Sequence, residues 1–253
     1  MILGHDPDAG SDCLLLVTYY TRSRAELGAL LGDFQANAGI RFKRVLVIDN
    51  GGHLDEEAGD GGEDWLRIVR GSNAFQEFSG WLEGLRLLSG GGRLTLLNDS
   101  YGRNWTISTA SRPIVRAMYA DARRGKIAGW LDNFSHFAPP RFSRCPNSRI
   151  VVLPLALAGT LADSLEAAIG RARKLVEEGE PLFDPHSQAR LARWIESQDG
   201  RWNLADMSGR LQRIFVEHHL FDDVPRRSLS LRPRSYAGSL AYALLRRLAR
   251  ERR

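Results

Sequence analysis

Apolar residues along this chain follow two rhythms, and the way the rhythms alternate predicts a fold class. Residues 14–20 (Leu-Leu-Leu-Val-Thr-Tyr-Tyr) form a nearly continuous apolar run, as expected of a strand buried on both faces of a parallel sheet. Similar short runs recur at residues 45–48, 66–69 and 94–97. Between them the spacing changes to that of a helix. Ser23 with Glu26 three residues later makes a capping box, and Leu27, Leu30, Leu31 and Phe34 follow as one stripe that stops before Gly39. Phe75, Phe78, Leu82 and Leu85 predict a second helix, closed by Gly90, Gly91 and Gly92. The alternation continues more loosely. It predicts a helix from near Pro113, strands at 126–130 and 149–153, a helix capped by Thr160 and Asp163, another opened by Asp184 and Pro185, and one over 211–215. Short connections between such elements give an α/β class, a mostly parallel open sheet with helices on both faces.

Composition agrees with a packed domain. Of 253 residues 43% are apolar and 26% charged, which excludes disorder, and no run of 18 apolar residues exists to span a bilayer. The first dozen residues are acidic and lack the pattern of a secretory signal. The only cysteines are Cys13, in an apolar run, and Cys145, in a predicted loop, without metal-ligand spacing, so a reduced, cytoplasmic protein is expected.

The net charge of +5 suggests nucleic acid until its distribution is considered. Residues 226–253 hold nine arginines and the single acid Glu251, a local +8, which leaves residues 1–225 at −3. Nucleic acid is therefore not an expected partner of the body. The expected organisation is one domain over 12–225 and a basic helical tail over 226–253. In the tail Tyr236, Leu240, Leu244 and Leu248 recur every fourth residue, with Arg246, Arg247, Arg250 and Arg253 on the other side. Such a helix suits an anionic membrane surface on the inner face of the cell membrane, or docks on the domain with a solvated basic face.

Ligands of open parallel sheets bind beyond the carboxyl ends of the strands, where strand order reverses. Three strands end in polar clusters: Thr18-Tyr19-Tyr20-Thr21-Arg22, Asp49-Asn50-Gly51-Gly52 and Asn98-Asp99-Ser100. All three are expected on one rim. There Asp49 could accept hydrogen bonds from a ribose or base, and Asp99 could hold a divalent cation. Alone, each acid reads equally well as a turn or cap residue.

These segments resemble family 2 glycosyltransferases of the GT-A fold. VTYYTRS is similar to the family's V-x-P-T-Y-N-R, VIDNGG to V-x-D-D-G-S, and GSNAFQEFSGWLEGL to the N-x-G-x-x-x-A-x-N-x-G helix. LTLLNDSYG resembles the rhamnan-synthesis branch, in which N-D-S-x-Y-G stands in place of D-x-D. GKIAGWLDN and PNSRIVVL are weaker echoes, and together the segments cover about the first 155 residues in order. The resemblance implies a GT-A-like domain in surface-polysaccharide assembly. It implies an inverting transfer from a dTDP-, UDP- or GDP-sugar to a glycan or lipid-linked glycan acceptor.

It further implies that Thr18, Tyr20, Arg22, Asp49, Asn73 and Asn98 line the nucleotide pocket and that Asp99 is the residue for Mg²⁺ or Mn²⁺. Asn98 and Ser100 stand where the family has acids, so Arg22 and Arg103 become candidates to neutralise the diphosphate. Inverting transfer needs a base for the acceptor hydroxyl. Asp132 is the positional candidate, His136 the second, and Trp130, Phe134 and Phe137 could stack on sugar rings. His218-His219 has no partner at metal-ligand spacing. The alternatives are a non-catalytic glycan-binding or scaffold subunit and, through the tail, a nucleic-acid binder. A dinucleotide enzyme is disfavoured because no G-x-G-x-x-G follows the first strand.

Overall fold

The computed structural model describes residues 12–55, 65–132, 145–196 and 207–233. Among them the chain forms seven strands and six α-helices. They are β1 (Cys13–Thr18), α1 (Arg24–Ala38), β2 (Arg44–Asp49), β3 (Leu66–Arg70), α2 (Glu77–Leu87), β4 (Arg93–Asn98), α3 (Arg112–Arg123), β5 (Ile127–Asp132), β6 (Cys145–Pro154), α4 (Ala158–Glu177), α5 (Pro185–Glu196), α6 (Met207–His219) and β7 (Leu229–Pro233). One sheet contains all seven strands in the order β3-β2-β1-β4-β6-β5-β7. Only β6 runs against the others, pairing antiparallel with both β4 and β5. The class expected from the sequence, an α/β fold on a mostly parallel open sheet, is what forms.

The apolar runs explain why the sheet is buried on both sides. Successive residues of β1 point to opposite faces. Cys13, Leu15 and Val17 enter a core shared with α2, α4 and α6, while Leu14 and Leu16 enter one shared with α1 and α3. Ser23 caps α1 by accepting from the Glu26 amide, and Gly39 closes it in the left-handed region at φ 72°. Helix α2 lies very close to β1. A Cβ on Gly84 would stand 2.2 Å from a Leu15 methyl, and one on Gly80 would stand 2.8 Å from Val17. Glycine at two positions on one helical face is therefore what lets Trp81, fully buried between them, reach the sheet. At the other end, α5 and α6 close a small separate cluster of Leu191, Ile195 and Leu211.

Several expectations need correction. Tyr19 and Tyr20 lie beyond β1, and Phe75 precedes α2, whose end at Leu87 is followed by extended Leu88 rather than by a glycine cap. Helix α4 starts at Ala158 from a 3-10 turn over Leu155–Leu157, so Thr160 and Asp163 lie inside it and do not cap it. Cys145 opens β6 rather than lying in a loop. Asp184 does cap α5, accepting from the Ser187 amide at 3.0 Å.

The largest difference lies at the C-terminal side. Residues 229–233, expected in the tail, form β7 and pair parallel with β5 from Ile127↔Leu229 to Leu131↔Pro233. An ion pair from a half-buried arginine to a buried carboxylate draws this strand in. Arg232 donates to Asp121 of α3 from Nε at 2.7 Å and Nη2 at 2.5 Å, and the Ser230 hydroxyl donates to the same oxygen at 2.5 Å. One arginine of the basic segment thus belongs to the domain. The predicted helix beyond Tyr236 lies outside the described residues. No helix among the described residues is long and apolar enough to cross a membrane.

Burial alone would raise the Asp121 carboxyl, but the Ser230 and Arg232 bonds outweigh it and hold the group below the ordinary carboxylate range. A depressed folded-state value adds stability above the unfolded value of about 3.9, and that stability is lost as pH falls through the folded value. Asp121→Asn is expected to cost about 1–3 kcal/mol at pH 7. Urea denaturation should show the gap to wild type narrowing below about pH 4, and a gap independent of pH would remove the pair from this role.

Candidate functional site at the sheet's switch point

Strands β1, β2 and β4 are parallel and in register, with Thr18 beside Asp49 and Val17 beside Asn98. Their polar ends therefore lie on one rim, as the sequence predicts. The chain runs outward from β1 through β2 to β3, then returns to place β4 on the other side of β1, so strand order reverses between β1 and β4. That gap is where an open sheet forms its crevice.

Asp99, just past β4, closes the floor of this gap. Its Oδ2 accepts from three consecutive backbone amides of the loop after β1, Tyr19 at 2.9 Å, Tyr20 at 2.6 Å and Thr21 at 2.9 Å, and from the Thr21 hydroxyl at 3.1 Å. Consecutive amides turned to one point make a nest for an anion, and here the anion is the chain's own carboxylate. Asp99 is 2% exposed, and its Oδ1 has no hydrogen-bond partner among the described residues.

Asp49 is built in the same way. Its Oδ1 accepts from the Thr18 hydroxyl and the Gly51 amide, each at 3.1 Å, and its Oδ2 accepts from the Leu54 amide at 2.8 Å. At 1% exposure the carboxylate holds its own loop. Thr18 is buried as Asp49's donor. Asn98, also buried, accepts from the Ser100 amide at 3.2 Å and from its hydroxyl, while Ser100 Oγ accepts from the Trp105 indole at 3.1 Å. These three predicted pocket residues shape the loops that face the crevice.

The exposed groups on the rim are Tyr20, Arg22, Asn73 and Arg103. The Arg103 guanidinium lies over the Tyr20 ring, 4.7 Å from its centre. Arg103 sits at the tip of a turn braced by the Ser100–Trp105 bond and by Tyr101, whose hydroxyl donates to Asp33 of α1 at 2.6 Å. Burial and the Asp33 bond push the Tyr101 phenol up to about 12.

On the helix side of the rim a second polar group assembles that the sequence does not announce. Asn50 donates to the Tyr19 hydroxyl at 2.8 Å and to the Gln76 carbonyl at 2.9 Å. Arg213 of α6 donates to the Gln76 side chain. Glu217, one turn on, accepts from the Ser148 amide at 2.6 Å, and the Ser148 hydroxyl donates to Glu77 at 3.4 Å. Burial, then the nearby Glu77 carboxylate, raises the Tyr19 phenol so that it stays protonated. The turn into α2 holds Asn73 at φ 53°, which asparagine adopts more readily than most residues, and Gln76 at φ 48° and ψ −129°, which is uncommon for a side chain of its kind. Gln76, Glu77, Ser148, Arg213 and Glu217 escape a sequence reading because their partners lie as many as 137 residues away.

The remaining candidates separate. Asp132 ends β5, with its side chain outside the described residues. His136, Phe134 and Phe137 also lie outside them. Trp130 is 1% exposed and packs edge-on against Trp105 at 5.0 Å, so it is core and not a sugar platform. His219 bonds Asp222 at 2.5 Å, and His218 packs toward Phe183. A concavity of about 570 Å³ lined by His186, Arg190, Arg193 and Trp194 lies on α5, and none of the rim residues above lines it. No protein-family model matches this chain, and no curated protein matches it.

Proposed function

We propose that the protein is an inverting glycosyltransferase of the GT-A type, transferring a sugar from a nucleotide-sugar donor to a glycan or lipid-linked acceptor. The observation that carries this reading is the convergence of the β1, β2 and β4 ends on one rim at the β1/β4 switch point. Open α/β sheets bind nucleotides at such places. In this reading the loops braced by Asp49 and Asp99 form the floor. Tyr20 offers a ring face to the nucleoside, while Arg22, Asn73 and Arg103 offer donors to ribose and phosphate. The acceptor oxygen attacks the anomeric carbon, the bond from that carbon to the diphosphate oxygen breaks, and Asp132 takes the hydroxyl proton. An acceptor on a lipid would suit a basic tail lying on an anionic membrane.

The sequence resemblance points to Mg²⁺ or Mn²⁺ at Asp99. A hard cation takes about six oxygen ligands, several of them protein carboxylates or carbonyls. Asp99 has one oxygen filled by four donors and the other buried, and the side-chain oxygens of Asn98 and Ser100 bond each other. This donor set does not fit such a cation.

A thermal-shift panel of nucleoside diphosphates tests the reading. A true ligand at a hundred times its dissociation constant adds about 2.7 kcal/mol, which raises the melting temperature by about 5–10 °C. Donor hydrolysis by the same protein should follow. Binding without hydrolysis or transfer would favour the non-catalytic glycan-binding subunit, and no response to any nucleotide would end the proposal.

A further inference from the structure

We infer that the crevice takes a diphosphate without a divalent cation, and that Arg103, held on the Tyr20 ring, supplies the positive charge in its place. This rests on the nucleotide-sugar reading and names the group that meets the donor's phosphates. Two observations carry it. Asp99, the one acid of the segment that stands in place of the family's D-x-D, is turned inward, with one carboxylate oxygen engaged and the other buried. Three consecutive amides and a hydroxyl converge on one of its oxygens, and the residue is 2% exposed. A carboxylate used in this way positions the loop after β1, and its second oxygen, without a hydrogen-bond partner among the described residues, is shut off from the solvent of the crevice.

The second observation is that a residue of the same loop carries a cation supplied by the turn after β4. Tyr20, whose amide makes the shortest bond to Asp99, is half exposed and carries the Arg103 guanidinium on its ring. A guanidinium held over a ring by the cation–π attraction still has its N–H donors to offer a ligand. A planar fork of donors fits the oxygens of a diphosphate, to which Arg can bond in pairs. The turn that carries Arg103 is fixed by Ser100, Trp105 and Tyr101, so the arginine is presented by a rigid support and not by a free loop. Asp99 is a positioning residue in this arrangement, acting through the loop that bears Tyr20.

The experiment uses the full chain with two simple probes, inorganic pyrophosphate and Mn²⁺. Calorimetry should show pyrophosphate binding equally well in EDTA and in Mn²⁺. Arg103→Ala should weaken it by about tenfold or more, with Arg103→Lys in between, because a point charge cannot replace a bidentate fork. Tyr20→Phe keeps the ring and should leave binding intact, whereas Tyr20→Ala should weaken it. Mn²⁺ alone should show no site that Asp99→Asn removes. Pyrophosphate binding that requires Mn²⁺, a Mn²⁺ site lost in Asp99→Asn, unchanged affinity in Arg103→Ala, or no pyrophosphate binding by the wild-type chain would each overturn the inference. Failure of the glycosyltransferase reading looks different. Pyrophosphate would then bind through Arg103 while no nucleoside diphosphate bound better than pyrophosphate itself.

Discussion

Asp99→Ala is expected to lower the melting temperature by about 6–12 °C, from a loss near 3 kcal/mol. The substitution strands the amides of Tyr19, Tyr20 and Thr21, which now share one charged acceptor. An unsatisfied buried donor costs about 1–3 kcal/mol, and bonds to a charged group lie at the upper end, with some relief as water reaches the more exposed Tyr20. Asp99→Asn keeps one acceptor oxygen but brings an NH₂ group toward other N–H donors, so it should fall between alanine and wild type. Amide exchange gives an independent reading, since residues 19–21 should lose protection before β1 does. A melting point within about 1 °C of wild type would mean the loop holds its shape without the carboxylate.

A second large effect is expected at the opposite end of the sheet. Asp12 and Arg93 form a two-point ion pair, with Nε to Oδ1 at 2.6 Å and Nη2 to Oδ2 at 2.7 Å, and both residues are buried. The pair fastens the segment leading into β1 to the start of β4, one strand over. Removing one partner leaves the other charge buried, which typically costs about 3–5 kcal/mol. Asp12→Ala should therefore lower the urea midpoint strongly with little change in slope. Asp12→Leu combined with Arg93→Met should recover much of the loss, because two apolar side chains need no solvation. If the double variant is as unstable as the sum of the single ones, the cost lies in packing and not in charge.

Much of the sheet was legible because its strands are buried on both faces. Runs such as Leu14-Leu15-Leu16-Val17 leave few other structures that could hide so much apolar surface. The direction of β6 was not legible, since an apolar run reads the same whichever way it pairs. β7 was not legible because its short Leu229-Ser230-Leu231 alternation sits among arginines, whose charge is the stronger pattern in that segment. The start of α4 was missed because Leu155 and Leu157 carry the chain into it through a 3-10 turn, with no capping side chain to mark the entry.

The candidate site was legible in position more than in role. Asp49 and Asp99 do lie on one rim, yet their oxygens face backbone amides. Every residue except proline carries such an amide, so no motif could have announced that these acids were already engaged. Arg103 was legible as a candidate for the diphosphate, but its partner was not, since only the fold sets it on Tyr20.

The pairing of Asp121 with Arg232 also bears on the order in which the molecule is made. A chain emerges from its N-terminus, so strands β1 to β6 and their helices exist before residue 232 is available. Until then, among the described residues, the Asp121 carboxylate has the looser company of Arg124, at 3.6 Å. β5 meanwhile stands as a bare sheet edge with its amides and carbonyls unmatched on one side. The nascent protein therefore passes through a state with a sticky edge and an underserved buried charge, and both are resolved by the same late-arriving segment. Translation that stops short of Leu229 would leave that state permanent, and such fragments should be the ones that aggregate or are degraded.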